Sequence, residues 1–151
     1  MSYKLPVSSG DRWDLAYLIE REIVSPFVAS IGMQASIDGV GSARTWIEIH
    51  ESLYQAEGLV HGGVIYTLAD AAVAIAVHSC TRPTQKIATI EAKMNYLAPA
   101  TTGTLSAFAR VEHEGQTLAV AQCEITNETP ERTRRVALML CTFALLADRG
   151  A

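Results

Sequence analysis

The sequence predicts an α+β fold in which a curved antiparallel sheet of about five to six strands wraps one long central helix, preceded by an extra N-terminal helix. Two patterns carry this expectation. Residues 61–79 form an apolar run rich in small residues, with Gly62, Gly63, Ala69, Ala71, Ala72, Ala74 and Ala76 spread around the helical wheel. Small side chains on nearly all sides let a sheet approach the helix closely. After Pro83 the hydrophobic period changes to two, and a run of alternating segments separated by turn residues follows.

In chain order, residues 11–30 read as a helix. Asp11 can cap its start, and Trp13, Leu15, Leu18, Ile19 and Ile23 lie along one face. Pro26 disrupts or ends that pattern. Strands are expected at 33–38 and 43–50, joined by Asp38-Gly39-Val40-Gly41. In the second, Ala43, Thr45, Ile47 and Ile49 alternate with Arg44, Trp46, Glu48 and His50. Residues 51–60 form a loop and 61–79 the central helix. There Val64, Leu68, Ala71 and Ile75 make one stripe, and Asp70 lies off it beside Tyr66, Val73, Ala74 and Val77. In the strand at 86–97, Ala88, Ile90, Ala92, Met94 and Tyr96 share the apolar face, which puts Thr89, Glu91, Lys93 and Asn95 on the other. Pro99 and Gly103 mark a turn. Residues 104–113 and 116–127 read as strands around Glu114-Gly115, a hairpin signal. A polar turn at 128–132 leads to a last apolar strand at 134–147. The whole is one domain: a helical extension at 1–30 on a sheet-and-helix unit at 31–151.

With 151 residues, 49% of them hydrophobic and 19% charged, the chain is long and apolar enough to bury a sizeable core. A net charge of −4 gives no electrostatic reason to expect nucleic acid as a partner. Cys80, Cys123 and Cys141 are odd in number and widely spaced, which suggests reduced thiols, a cytoplasmic setting and no metal site. The opening MSYKLPVSSG lacks the apolar core of a signal peptide, and the stretch Leu68–Val77 is too short to span a bilayer. No membrane partner is expected.

The chemistry concentrates at the start of the central helix. Asp70 is a lone carboxylate in an otherwise apolar run. An unpaired buried carboxylate costs several kcal/mol, so such a group is paired, protonated or functional. Gly62 and Gly63 remove side chains where backbone N–H groups point out of a helix start. A donor-lined helix start followed by a buried acid suits hydrolysis or addition at a carbonyl.

Three blocks of residues resemble the hotdog-fold acyl-CoA thioesterases of the phenylacetate-pathway (PaaI) type, within the 4-hydroxybenzoyl-CoA thioesterase superfamily. They are His61-Gly62-Gly63-Val64-Ile65-Tyr66-Thr67-Leu68-Ala69-Asp70, then Ile90-Glu91-Ala92-Lys93-Met94-Asn95-Tyr96-Leu97-Ala98-Pro99-Ala100, and His113-Glu114-Gly115-Gln116-Thr117-Leu118-Ala119-Val120. With the strand order, the resemblance covers about residues 30–147, and the first block is its most specific part. It implies a hotdog fold and hydrolysis of an aryl- or medium-chain acyl-CoA to free acid and CoA. It further implies Asp70 as general base or nucleophile and the Gly62 N–H as donor to the thioester oxygen. Gln55 would hold substrate or water, Thr89 would position the water, and His61 would support the loop around the thioester. Gly63 and Gly115 would lie against the CoA moiety. Relatives often carry Arg or Lys where this chain has Gln116, so phosphate contacts fall to Arg110, Arg134 or Arg135. No cofactor is implied, since CoA is part of the substrate.

Gly62 and Asp70 lie eight residues apart on one helix, about 12 Å at 1.5 Å per residue. One carbonyl reaches both most easily if they come from different subunits. The expected assembly is therefore a C2 homodimer with two composite sites, which the resemblance extends to a homotetramer, a dimer of dimers. Tyr66, Val73, Val77 and the N-terminal helix are the expected acyl-pocket residues. Two other readings stay open: an enoyl-thioester hydratase or dehydratase, and a non-catalytic acyl-CoA-binding protein.

Overall fold

A computed structural model describes residues 13–147. The elements are α1 (Leu15–Ile23), α2 (Pro26–Ser30), β1 (Gln34–Gly39), β2 (Ser42–Glu48), a 3-10 turn (Glu51–Leu53), α3 (Gly62–Cys80), β3 (Lys86–Tyr96), β4 (Thr104–Glu114), β5 (Leu118–Thr129) and β6 (Arg132–Leu146). All six strands form one antiparallel sheet in the order β1-β2-β4-β5-β6-β3. The expected α+β arrangement of a sheet wrapped on a long helix is therefore present.

Small residues on both partners permit the wrap. Leu105, Ala107 and Ala109 of β4, Ala121, Cys123 and Ile125 of β5, and Ala137, Met139, Cys141 and Phe143 of β6 are buried. They share one core with Leu68, Ala69, Ala72, Ile75 and Ala76 of α3. Each lost methyl on one side is matched by closer backbone approach on the other, which keeps the interior dense. Two hydroxyls stitch the layers together. Thr45, fully buried, donates to the Leu68 carbonyl at 2.7 Å. Ser79 donates to the Ala76 carbonyl and accepts the Gly41 N–H at 2.8 Å, which ties the β1–β2 turn to the end of α3. Gly41 has φ +78°, and a Cβ there would meet Cys80 Sγ at 3.1 Å, so glycine is required twice over.

The N-terminal segment departs from the expected single helix over 11–30. It breaks at Val24–Ser25, and Pro26 begins a second helix instead of merely ending the first. Proline has no N–H to lose at a helix start, so it is well placed there. The expected cap Asp11 lies outside the described residues; Asp14 caps α1, accepting from Ala16 N–H at 2.9 Å and Tyr17 N–H at 3.3 Å. α1 is anchored on α3 through His78. Arg21 Nη2 donates to His78 Nε2 at 2.9 Å, the Trp13 ring stands edge-on to the imidazole, and the Arg21 guanidinium lies over Trp13. Burial, with the nearby Arg21 charge, pushes the His78 pKa down to about 4, so the imidazole is a neutral acceptor.

Register shifts interrupt four of the five strand pairings, and the one in β3 bears on the site. The pairing of β3 with β6 shifts between Thr89 and Glu91: Thr89 faces Phe143 and Glu91 faces Thr142, leaving Ile90 as a bulge. Past a bulge every side chain changes face. Ile87 and Thr89 therefore share the helix-facing side with Ala92 and Met94, and Ile90 is 59% exposed. The expectation that Thr89 points away from the helix-facing side is overturned.

Candidate active site

The loop before α3 sets the entrance of the helix. The Tyr54–Val60 bridge closes a turn, the His61 N–H donates to the Leu53 carbonyl at 2.8 Å, and the Val60 N–H donates to Ala100 at 2.9 Å. His61 is thereby held as the N-cap, and its Nδ1 accepts the Gly63 N–H at 2.8 Å. A neutral ring that accepts at Nδ1 carries its proton on Nε2. A Cβ on Gly63 would sit 2.9 Å from Nδ1, so the cap depends on that glycine.

The Gly62 N–H is left over. It occupies the first helical position, where no intrahelical acceptor exists, and it meets no acceptor among the described residues. Tyr96, at the end of β3, donates its hydroxyl to the Gly62 carbonyl at 3.0 Å and so holds the following Gly62–Gly63 peptide, the same unit whose N–H His61 accepts. Tyr96 belongs to a motif legible in the sequence, but its role here is visible only in three dimensions.

Asp70 lies two turns further along α3. The sheet covers most of the helix and leaves a stripe of half-covered positions, Gly62, Tyr66, Thr67, Asp70 and Ala74, with Gly63 exposed at its head. These positions are three and four apart, as one helical face requires. Asp70 is half-buried on this stripe. Burial raises its pKa above the ordinary carboxylate value, partly opposed by the Thr89 hydroxyl, which donates to Oδ1 at 3.3 Å. Its charge is felt nearby. Burial first, then the Asp70 charge, raise the Tyr66 phenol, and burial with a smaller push from Asp70 pushes the Cys141 thiol up to about 12. Glu22 of α1 was not foreseen. Its carboxyl is raised by burial, lowered by Arg21 and raised again by Asp70, which brings the N-terminal helix into the electrostatic surroundings of the site.

The remaining predicted residues are dispersed. Gln55 is half-buried in the loop, where its Oε1 accepts the Glu57 N–H at 2.6 Å. Arg110 and Arg135 lie on the outer face of the sheet, opposite α3, and pair with Glu112 at 2.9 Å and with Glu124 respectively. Arg134 donates to the Pro99 carbonyl at 2.5 Å and braces the loop after β3. Gly115 closes the β4–β5 turn through its N–H to the Leu118 carbonyl at 2.8 Å. Val73 and Val77 are fully buried, so they belong to the core and do not line a pocket.

A free amide at a helix start can polarise a carbonyl, and a carboxylate of raised pKa is a stronger base than a solvated one. Together they suit attack on a carbonyl carbon.

Known proteins fit this geometry. The Thioesterase superfamily pattern matches residues 57–133, which include the end of the loop, α3, β3, β4 and β5. The 1,4-dihydroxy-2-naphthoyl-CoA hydrolase of Listeria monocytogenes is 29% identical over 120 residues, covering 80% of this chain and 95% of that protein. A Halobacterium salinarum protein named as an esterase is 37% identical over 129 residues, 82% of this chain and 83% of the other. Among solved structures, a thioesterase family protein from Silicibacter pomeroyi superposes with a TM-score of 0.83 at 25% identity, covering 89% of this chain and 99% of that one. The E. coli PaaI protein of the phenylacetic acid degradation operon shares the fold, with a TM-score of 0.75 at 22% identity over 89% of this chain and 97% of that one. The architecture is the expected hotdog.

Proposed function

This chain belongs to the thioesterase superfamily and is a thioester hydrolase, and from that premise we propose that it hydrolyses acyl-CoA thioesters at the entrance of α3, with Asp70 as general base or nucleophile. The observation that carries the proposal is the unpartnered Gly62 N–H at the head of the same open helical stripe that bears the half-buried Asp70. The CoA hydrolase among the relatives supports the class of substrate.

In this reading the thioester oxygen accepts from the Gly62 N–H, reinforced by the helix dipole. One such donor lowers the barrier by about 3–4 kcal/mol. Asp70 takes a proton from water as the water oxygen adds to the carbonyl carbon, and the carbonyl electron pair moves onto the oxygen held by Gly62. Collapse expels the CoA thiolate, which recovers the proton from Asp70, leaving free acid and CoA thiol. Direct attack by Asp70 would instead give a mixed anhydride that water then opens. Thr89 orients the carboxylate, and His61, by accepting the Gly63 N–H, caps the helical turn that presents the Gly62 amide. Gln55, within the loop that leads into α3, would meet the thioester on its outer side.

Gly62 and Asp70 remain about 12 Å apart along one helix. We therefore propose a homodimer in which Gly62 of one subunit and Asp70 of the other share one substrate. Aryl and medium-chain acyl groups are the proposed substrates, and a reducing cytoplasm is the proposed setting.

Thiol release from a panel of aromatic and straight-chain acyl-CoAs, run with wild type and Asp70→Asn, tests the function. Release by wild type that falls by about 100-fold or more in Asp70→Asn is the expected result. Tight acyl-CoA binding without release from any ester would overturn hydrolysis in favour of a binding protein.

A further inference from the structure

We infer that the cleft between α2 and the first turns of α3 is the acyl-group subsite, and that Phe27 makes it favour aromatic acyl groups over straight chains; this rests on the acyl-CoA reading above. Phe27 of α2 and Ile31, its C-cap, form one wall, and His61, Val64 and Tyr66 form the other. The cleft measures about 450 Å³, within the range of small-molecule sites.

Its position relative to the amide gives the cleft its meaning. His61 and Gly63, which flank Gly62, both line it. A carbonyl oxygen directed at the Gly62 N–H therefore leaves its acyl substituent at the mouth of the cleft. Tyr66 belongs both to this wall and to the stripe that leads to Asp70. The acyl wall is thus continuous with the Gly62 amide along one helix face, and the carboxylate that acts there comes from the partner subunit.

The lining argues for an aromatic occupant. Phe27 is 63% exposed, which is more solvent contact than any other large apolar side chain has among the described residues. So exposed a ring contributes little to the fold, while its face remains available to a ligand. Flat rings gain from edge or offset contact with Phe27 and Tyr66, whereas a flexible chain must lose rotamer freedom to lie in the same space. The polar groups sit on the α3 side: His61 Nε2–H and the Tyr66 hydroxyl, with the Thr67 hydroxyl already donating to the Gly63 carbonyl at 2.8 Å. An aryl acyl group with a polar substituent would meet a donor there. Phe27 and Ile31 also lie outside residues 57–133, so the selectivity would come from a segment outside the region that matches the superfamily.

The test compares phenylacetyl-CoA with octanoyl-CoA for wild type, Phe27→Ala and Phe27→Leu. The expected result is a loss of ~10-fold or more in kcat/KM for the aryl ester in Phe27→Ala, carried mainly by KM, with a several-fold smaller loss for octanoyl-CoA. Phe27→Leu, which keeps apolar bulk but not the ring, should lose the aryl preference. Equal losses on both esters, or none, would overturn the subsite while leaving hydrolysis intact. A change in sedimentation of Phe27→Ala would overturn it too, by making the cleft a contact between copies of the chain. Should wild type hydrolyse neither ester, the function reading fails, and binding of the corresponding non-hydrolysable thioethers judges the cleft separately: loss of aryl preference on Phe27→Ala supports it, and indifference to ring or chain overturns it.

Discussion

The Thr89 hydroxyl of β3 donates to Asp70 Oδ1 of α3 across 3.3 Å. The contact exists because Ile90 bulges out of the β3–β6 ladder and returns Thr89 to the helix side. At that length the bond is weak, so its main contribution is orientation. It also partly opposes the burial that raises the Asp70 pKa.

Replacing Thr89 with valine keeps the branched shape and removes the donor. The Asp70 pKa should then rise further, and the acidic limb of the pH–rate profile should move to higher pH. Loss of orientation should lower kcat/KM roughly tenfold. Thr89→Ser should restore both. A limb that stays in place in Thr89→Val would mean that the hydroxyl does not act on the carboxylate.

Gly62 offers a way to delete one hydrogen atom. It is the first residue of α3, where proline is well tolerated, and His61 before it has φ −60° and ψ 133°, a conformation that proline accepts in its predecessor. An added Cβ meets the Tyr96 ring at 3.4 Å, an ordinary contact. Gly62→Pro should therefore fold with a melting temperature near wild type and lose on the order of 10²- to 10³-fold in kcat. Full activity in a folded Gly62→Pro protein would remove the amide from the mechanism.

The parts of this molecule that were legible in the sequence are those where periodicity runs unbroken. α3 and the alternation in β2, β5 and the stretches of β4 and β6 on either side of their register shifts follow from apolar spacing, and Gly41, Gly58, Gly103 and Gly115 fall in the turns between elements. Position was lost where the backbone departs from its period. The bulge at Ile90 adds one residue and reverses the face of Thr89, and no residue type announces it. Pro26 was read as a break, but a break and a new helix start share the same residue. Chemistry was legible where one element carries it, as with His61, Gly62 and Asp70 on α3. Contacts between distant elements were not: the approach of Glu22 to Asp70 and of Arg21 to His78 depends on how α1 packs across α3.

Asp70 should destabilise the fold in a pH-dependent way. Its native pKa is raised above the ordinary 3.8, so between those two values the native state holds more proton than the unfolded chain. Stability must fall as pH rises through that window, and the loss is complete above it. Asp70→Asn, whose amide oxygen can still accept from Thr89, should raise the melting temperature near neutral pH. Below about pH 3.8 the two proteins should melt alike. Calorimetry across that range checks the sign; a variant less stable than wild type at neutral pH would mean that the carboxylate is held by interactions that outweigh its burial.

A shared site makes a prediction that a site within one subunit cannot. Asp70→Asn retains the Gly62 amide, and Gly62→Pro retains the Asp70 carboxylate. In a mixed dimer, the first variant can lend its amide to the carboxylate of the second, and one of the two composite sites is whole. Mixing the two inactive proteins after reversible dissociation should then restore activity that neither shows alone. Each site confined to one chain would carry one defect in every combination, and the mixture would stay inactive. Recovery should also fade on dilution as the dimers separate, because the distance along α3 leaves an isolated chain with the amide and the acid too far apart to meet one carbonyl.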